Sequence, residues 1–181
     1  MATARSFTAA DLAQFDEPGK HDLIRGELIS MPPAGGEHGR VALALGARIY
    51  AFVQDQNLGA AYAAETGFIL DSEAETVLAP DVAFVRSERL AGLDDVSGFL
   101  PLAPDLAVEI VSPFDRATQV LDKVLTYLEY GVEAIWVVDP QRRSVTVYGL
   151  DRSARLLVEG ELLSGGSVLP GFELAVADLF N

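Results

Sequence analysis

The sequence predicts a single α/β domain, more specifically α+β, with a mixed central β-sheet flanked by helices. Two observations carry this prediction. Residues 106–111 and 134–139 are almost continuously apolar, which is typical of central strands that are covered on both faces. Residues 115–130 form an amphipathic stretch between them, and Gly131 follows at the position where many helices end in a left-handed residue. The order strand, helix, strand indicates a right-handed crossover between parallel strands.

The other elements follow from periodicity and from the residues that break it. Thr8 is a candidate N-cap for a short first helix, and Arg25-Gly26 is a candidate turn between two short strands. Pro and Gly predict a loop at residues 31–36, and a long connection covers residues 87–104. Helices are predicted at 7–15, 41–53 and 115–130, and strands at 22–30 (with the turn), 67–70, 77–85 (interrupted by Pro80-Asp81), 106–111, 134–139, 144–148 and 155–158.

The length and composition favour one domain covering residues 1–181. The chain has 181 residues, half of them hydrophobic, enough for one good core and too few for two. It has no cysteine, which excludes disulfides and thiolate metal sites and suits a reducing cytoplasm. The first 15 residues lack the apolar core of a signal peptide, and no apolar run approaches the ~20 residues of a membrane helix. We therefore expect a soluble, cytoplasmic protein with no membrane association.

The charge is strongly acidic. Twenty-seven acidic and 13 basic side chains give a formal charge of −14. Such a surface repels phosphate backbones on average, which argues against a general nucleic-acid coat protein. It leaves open a locally basic groove, or a carboxylate site whose charge a divalent metal cancels.

Glu109 is the most informative residue, because it places a lone carboxylate inside the apolar run 106–111. An ionised carboxylate in such a strand is costly unless a cation, a metal or several donors pair with it. Two interpretations stay open: a structural ion pair with a buried arginine, or a functional site.

Asp81 and Lys123 are the other charged residues that hydrophobic patterning does not explain. Asp81 follows Pro80, so a turn residue is one interpretation. Lys123 lies on the apolar side of its helix, where a buried stem with a solvated ammonium is the simple alternative. Ser112 to Glu109 spans about 10 Å of strand, and Arg116 to Lys123 spans about 10 Å of helix. If the helix folds back over its strand, Lys123 therefore comes level with Glu109.

These residues, in this order, resemble a known family. Its pattern is followed by Glu27-Leu28-Ile29 with His38 nearby, Pro80-Asp81-Val82, residues 104–113, Lys123, Tyr127, Gly131-Val132 and residues 136–140. The chain is identified as a member of the Uma-type family of restriction-endonuclease-like bacterial proteins, a branch of the PD-(D/E)XK nuclease superfamily. The resemblance covers the chain from about residue 7 to the segment 169–172.

The resemblance implies a restriction-endonuclease-like fold and a magnesium-type site. Asp81 matches the motif aspartate and Glu109 its second acidic position, so both are expected to bind Mg²⁺ or Mn²⁺. The motif expects lysine two residues after that acid, where this chain has Val111, and Lys123 on the following helix matches the displaced lysine. Catalytic roles are therefore expected for Asp81, Glu109 and Lys123.

Glu27, His38 and Glu65 are accessory candidates. His38 follows a glycine-rich loop at the start of a predicted helix, so a capping or surface role competes with proton transfer. Glu27 is equally suited to pairing with Arg25 or Arg40 at the surface.

The leading functional hypothesis is a metal-dependent nuclease that hydrolyses phosphodiester bonds of DNA and acts as a homodimer. The alternative is a catalytically inert binding or regulatory module on a nuclease-like fold. It is motivated by the charge of −14 and by the sparse arginines: Arg40, Arg48, Arg86, Arg89 and Arg116 could supply only a modest basic cluster. A third possibility is a purely structural Glu109–Lys123 ion pair, for which Lys123→Met would be tolerated or stabilising.

Overall fold

Strands and helices follow one another closely along the chain in this computed structural model, which describes residues 6–17, 19–93 and 95–181. In chain order they are α1 (Ala9–Ala13), β1 (Lys20–Ile24), β2 (Glu27–Met31), α2 (Gly36–Asp55), β3 (Gly59–Ala63), β4 (Phe68–Asp71), β5 (Thr76–Leu78), β6 (Val82–Arg86), α3 (Ser87–Leu90), β7 (Leu106–Ile110), α4 (Ala117–Glu129), β8 (Ala134–Asp139), β9 (Ser144–Gly149), β10 (Ala154–Val158), β11 (Leu162–Ser164), β12 (Glu173–Ala175) and a 3₁₀ turn (Val176–Leu179). Residues 1–5, which begin the stretch considered for a signal peptide, and Asp94 in the connection 87–104 lie outside the described residues.

The central sheet has six strands in the order β10-β9-β8-β7-β6-β3. β7 and β8 are parallel, and α4 connects them, as the apolar runs around the amphipathic segment predicted. The other neighbouring pairs are antiparallel, so the sheet is mixed. β7 therefore occupies an interior position, which explains why its five residues are all buried.

A second sheet stands beside the first and carries part of the site. Its order is β2-β1-β5-β4, and β1 meets β5 through the single register pair Leu23–Val77. β5 and β6 are separated only by the segment Ala79-Pro80-Asp81, so the chain passes directly from the second sheet into the central one. Pro80 cannot donate to a strand ladder, which fits the break at this point. The break places Asp81 between the two sheets.

The two faces of the central sheet are covered by different helices. α2 buries Val41, Leu45, Ile49 and Val53 against one face, together with the C-terminal segment. α4 buries Val124 and Tyr127 against the other face, as its apolar stripe predicted. Full burial of an aliphatic side chain contributes about 1.5–3 kcal/mol, so these stripes fix both helices on the sheet.

Three features were not anticipated from the sequence. β3 (Gly59–Ala63) consists of one Gly, three Ala and Tyr62, so most of its residues have weak strand preference, and Gly59 at its start has φ 153. A Cβ at Gly59 would lie 2.1 Å from the Val85 carbonyl oxygen, so the strand edge requires glycine there. The one-turn α3 begins the connection 87–104, and β11 and β12 form a two-stranded ribbon. These elements are short, and periodicity is weak over three to five residues.

Candidate functional site

The site is centred on Glu109, whose side chain leaves β7 on the α4 face. Successive strand residues point to opposite faces, so Glu109 shares the face of Ala107, which packs in the α4 cluster. Lys123 Nζ donates to Glu109 Oε2 at 2.7 Å, and the Tyr127 hydroxyl donates to Oε1 at 2.7 Å. Lys123 thus comes level with Glu109, as the strand and helix lengths predicted.

Asp22 of β1 is a second carboxylate partner of Lys123. Its Oδ2 lies 3.1 Å from Lys123 Nζ, an ion-pair distance without the geometry of a hydrogen bond. Its Oδ1 accepts a 3.0 Å hydrogen bond from the backbone N–H of Ala79. The Asp22 side chain is 1% exposed and that of Lys123 is 14% exposed. One buried ammonium is therefore shared by the carboxylates of Asp22 and Glu109.

Asp81 makes four hydrogen bonds: its backbone N–H donates one, and its carboxylate accepts three. Its N–H donates to the Val108 carbonyl, which ties the segment before β6 to β7. Oδ2 accepts from the backbone N–H of Ile110 at 2.8 Å and from His38 Nε2 at 3.1 Å, while Oδ1 accepts from Lys20 Nζ at 2.8 Å. A local turn does not account for these contacts, because all four join Asp81 to residues that are distant along the chain.

The contacts of Asp81 and His38 set their charge states. Burial alone would raise the pKa of Asp81, but the hydrogen bond from His38 and the charge of Lys20 outweigh burial and hold that pKa well below its ordinary value. The same hydrogen bond raises the pKa of His38 above its usual range, although burial opposes it. Asp81 is therefore ionised near neutral pH.

Glu109 and Lys123 are shifted by the same buried cluster. Burial raises the pKa of Glu109, and the neighbouring charges of Asp81 and Asp22 add to the effect, against the opposing charge of Lys123. Burial alone would lower the pKa of Lys123, but the charges of Asp22 and Glu109 outweigh it and raise that pKa above its ordinary value. Lys123 is therefore a permanent cation near neutral pH.

A cleft of about 1150 Å³ opens over these side chains. It is bounded by the β1–β2 hairpin, the exposed loop after β2, one side of α2, β3, and the segment joining β7 to α4. Asp22, Asp81, Glu109, Lys20 and Lys123 all line it. A cavity of this size exceeds the roughly 300–1,000 Å³ of ordinary small-molecule sites, which leaves room for part of a polymer.

The arginines suggested as a basic cluster do not surround the cleft. Among the described residues, Arg116 is the one of the five that lines it. Arg40 and Arg48 donate to backbone carbonyls of the C-terminal segment. Arg86 and Arg89 pair with a buried aspartate at the other end of β7. Positive charge at the cleft therefore comes mainly from the two lysines.

The structure brings together most of the residues singled out from the sequence. Glu109 contacts Lys123 and Asp81 contacts His38, and these two groups of side chains line the same cleft. Glu65 lines the cleft just after β3 and has φ 71, but lies outside both groups of contacts. Glu27 is exposed at the start of β2, away from the described cleft lining, and Arg25 pairs with Glu129 rather than with Glu27.

Lys20, Asp22 and the hydroxyl role of Tyr127 were missed. The sequence placed Tyr127 in the family pattern but gave its hydroxyl no role, because periodicity says nothing about where a hydroxyl points. Lys20 and Asp22 stand in a polar stretch where charged residues are ordinary. One signal was available for Lys20: Lys20 and Lys123 are the only lysines among the 13 basic residues of the chain.

The carboxylates suit a hard divalent cation in chemistry. Mg²⁺ prefers carboxylate and other oxygen ligands, which Asp81 and Glu109 offer, and the buried Asp22 Oδ2 lacks a hydrogen bond. Within the described residues, no three or more His, Asp or Glu side chains already form a metal-binding group. The ammonium groups of Lys20 and Lys123 contact the carboxylates of Asp81, Asp22 and Glu109 instead. A metal ion would have to take the place of at least one of these ammonium groups.

His38 offers a direct check of this electrostatic arrangement. We expect its imidazole to titrate above 6.5 in metal-free protein and to return toward 6.5 in Asp81→Asn, because the Asp81 hydrogen bond favours the charged ring. A raised pKa means that the stabilisation is full below pH 6.5 and is lost as the pH rises through the folded-state value. NMR titration of the wild type and of Asp81→Asn measures the His38 midpoint. A His38 midpoint at or below 6.5 would contradict the arrangement.

The fold and the contacts define a mixed α+β protein with a carboxylate–lysine cleft between its two sheets. The chain belongs to the Uma2 family: the family model described as "Uma2: Putative restriction endonuclease" matches residues 8–177. Among solved structures, the crystal structure of a putative nuclease belonging to DUF820 from Anabaena variabilis matches with a TM-score of 0.83 and 23% identity, covering 96% of this chain and 97% of that chain. The family resemblance and the α+β fold with a mixed central sheet flanked by helices, predicted from the sequence, are confirmed.

No curated protein matches the chain. None of the helices formed by the described residues combines the length and apolar character that a membrane span requires.

Proposed function

We propose that this protein is a metal-dependent nuclease that hydrolyses phosphodiester bonds of DNA. The observation that carries the proposal is the convergence of Asp81, Glu109 and Lys123 in one open cleft, on elements that have no packing reason to bury charges. Asp81 and Glu109 would hold Mg²⁺ or Mn²⁺. The bound cation would supply Lewis-acid activation of the phosphate.

The chain's own residues then have distinct roles. Lys123 stays protonated because its pKa is raised, so it orients the attacking water and offsets developing negative charge rather than removing a proton. Tyr127 fixes one oxygen of Glu109 through its 2.7 Å hydrogen bond, which leaves the other oxygen facing Lys123. His38 and the Ile110 N–H fix Asp81 in the same way.

The first experiment is calorimetric titration of Mn²⁺ into the wild type, Glu109→Ala and Glu27→Gln. We expect saturable binding in the wild type, loss in Glu109→Ala, and no change in Glu27→Gln, which removes an exposed acid outside the cleft. Each variant that binds the metal is then incubated with Mg²⁺ and single- or double-stranded DNA. Binding that survives in Glu109→Ala, or no cleavage of any DNA, argues against the proposal.

A catalytically inert binding or regulatory module is the second candidate. It is favoured by the carboxylate oxygens of Asp81 and Glu109, which already have lysine, histidine, tyrosine or backbone donors. The formal charge of −14 and the arginines turned away from the cleft point the same way. This candidate predicts no saturable Mn²⁺ binding in the wild type.

We further propose a homodimer in the cytoplasm. Two sites related by a twofold axis would each act on one strand of a duplex, which is the usual symmetry of such assemblies. The cysteine-free sequence suits a reducing compartment. Light scattering of the purified protein tests the dimer, and a monomer mass in the presence of DNA would contradict it.

A further inference from the structure

Both lysines of the chain lie in the cleft, and each touches a carboxylate. Lys20 Nζ contacts Asp81, and Lys123 Nζ contacts Glu109 and Asp22, while the other 11 basic residues are arginines. Lysine differs from arginine in being a compact point charge on a flexible stem, without a planar fork that locks a carboxylate in two places. The lysine ammonium groups on the carboxylates of Asp81, Asp22 and Glu109 can therefore move more easily than arginine side chains would in their place.

Asp81 can accept a metal through one oxygen without losing its anchors. Its Oδ2 is held by the buried N–H of Ile110 and by His38, and losing the backbone bond would leave a buried donor unpaired. Its Oδ1 is held by Lys20. A cation that binds Asp81 would therefore compete with Lys20 in particular.

The two lysines differ in how easily they can leave. Lys123 bridges two buried carboxylates from a helix that packs on the sheet, so its departure would leave both charges unbalanced. Lys20 pairs with one carboxylate, stands at the first residue of β1 and follows Gly19, which has φ 124. An incoming cation also balances Asp81 itself, so the exchange leaves no unpaired charge there.

We propose that a divalent cation displaces the Lys20 ammonium from Asp81 Oδ1, and that the released ammonium then binds a phosphate oxygen of the substrate. This inference rests on the proposed metal site at Asp81 and Glu109. Lys20 lines the same cleft, so rotation of its stem keeps the ammonium beside the carboxylates rather than sending it to the outer surface. Lys20 is thus a placeholder cation in the metal-free protein and a substrate ligand in the loaded one.

The first test compares Mn²⁺ affinity in the wild type, Lys20→Met and Arg116→Gln. We expect Lys20→Met to bind Mn²⁺ about tenfold more tightly, because the competing ion pair is gone. Arg116→Gln removes an exposed positive charge from the same cleft and should change the affinity less than about twofold, since solvent and salt screen that charge. Equal tightening in both variants would overturn the displacement, because it would mean a general charge effect.

The second test follows the two lysines directly in the wild-type protein. Protein labelled with ¹³C at lysine Cε gives two side-chain signals, which Lys20→Arg assigns by removing one of them. We expect Mg²⁺ to move the Lys20 signal and to leave the Lys123 signal nearly in place.

The third test is kinetic. With metal loaded, Lys20→Met should raise KM for DNA more than it lowers kcat.

The outcomes separate this inference from the proposed function. If calorimetry finds Mn²⁺ binding that Glu109→Ala abolishes, but the Lys20 signal does not move and Lys20→Met binds no more tightly, the displacement is wrong and the metal site stands. If the wild type binds no Mn²⁺, both are wrong.

Discussion

Asp81→Asn should lower metal-dependent DNA cleavage by about a thousandfold, since a metal ion contributes several kcal/mol of transition-state stabilisation and each 1.36 kcal/mol is a factor of ten. Asparagine keeps the shape of the side chain and can still accept from the Ile110 N–H, so the fold should survive. It removes the negative charge that Lys20 balances and that a cation would require. Initial rates on a fluorescent oligonucleotide with Mg²⁺ measure the effect.

The matched control for this loss is Glu27→Gln, which also converts a carboxylate into an amide but lies outside the cleft. It should cleave at the wild-type rate. Chelation with EDTA should reduce the wild type to the level of Asp81→Asn. Cleavage by Asp81→Asn at the wild-type rate would remove Asp81 from the metal site, and the same result for Glu109→Gln would remove the site altogether.

Lys123→Met should lower the free energy of unfolding by about 3–5 kcal/mol at pH 7, because it leaves buried carboxylates without their cation. The third possibility raised by the sequence, a purely structural pair that tolerates this change, assumes one carboxylate per lysine. Here Lys123 pairs with both Glu109 and Asp22, whose side chains are 10% and 1% exposed. Methionine has a similar length, so the cost arises from charge rather than from a cavity.

The pH dependence gives the sign of this effect. Lys123 has a raised pKa, so its stabilisation is fully present below the ordinary lysine value of 10.5 and is lost only as the pH rises beyond it. The pKa of Glu109 is raised too, so in the variant this carboxyl takes up a proton readily as the pH falls. Urea unfolding should therefore show a smaller cost at pH 5 than at pH 7.

Two further variants check the interpretation. Lys123→Arg keeps the charge and should cost less than Lys123→Met. Arg25→Met breaks an ion pair whose side chains are 65% and 50% exposed, and solvent screening should make that change hard to measure. A Lys123→Met protein as stable as the wild type would mean that Asp22 and Glu109 are balanced without Lys123.

The part of the site that the sequence predicted is the part built from neighbouring elements. Glu109 and Lys123 are 14 residues apart on a strand and on the helix that follows it. Their levels can be compared from the rise per residue of each element, without knowledge of the rest of the fold. The central strands were predicted for a similar reason, since a continuous apolar run is a local signal.

The part that the sequence did not predict depends on contacts between the two sheets. Lys20 and Asp22 reach the site because β1 pairs with β5 through one register pair, Leu23–Val77, whose residues are 54 positions apart. No local period encodes that pairing. β3 was missed for a different reason: its Gly and Ala residues have weak strand preference, and only its place beside β6 makes it a strand.

Because both lysines of the chain lie in the cleft, digestion with a lysine-specific protease can report on the opening of the cleft elements. A protease that cuts only after lysine has two target bonds in the whole chain, one within β1 and the other within α4. Neither bond can enter a protease active site until its element opens, so the digestion rate measures the opening of that element. The fragments distinguish the two events, because one cut removes the first 20 residues and the other separates residues 124–181. Local unfolding of the two halves of the cleft could thus be followed separately, in unlabelled protein of native sequence.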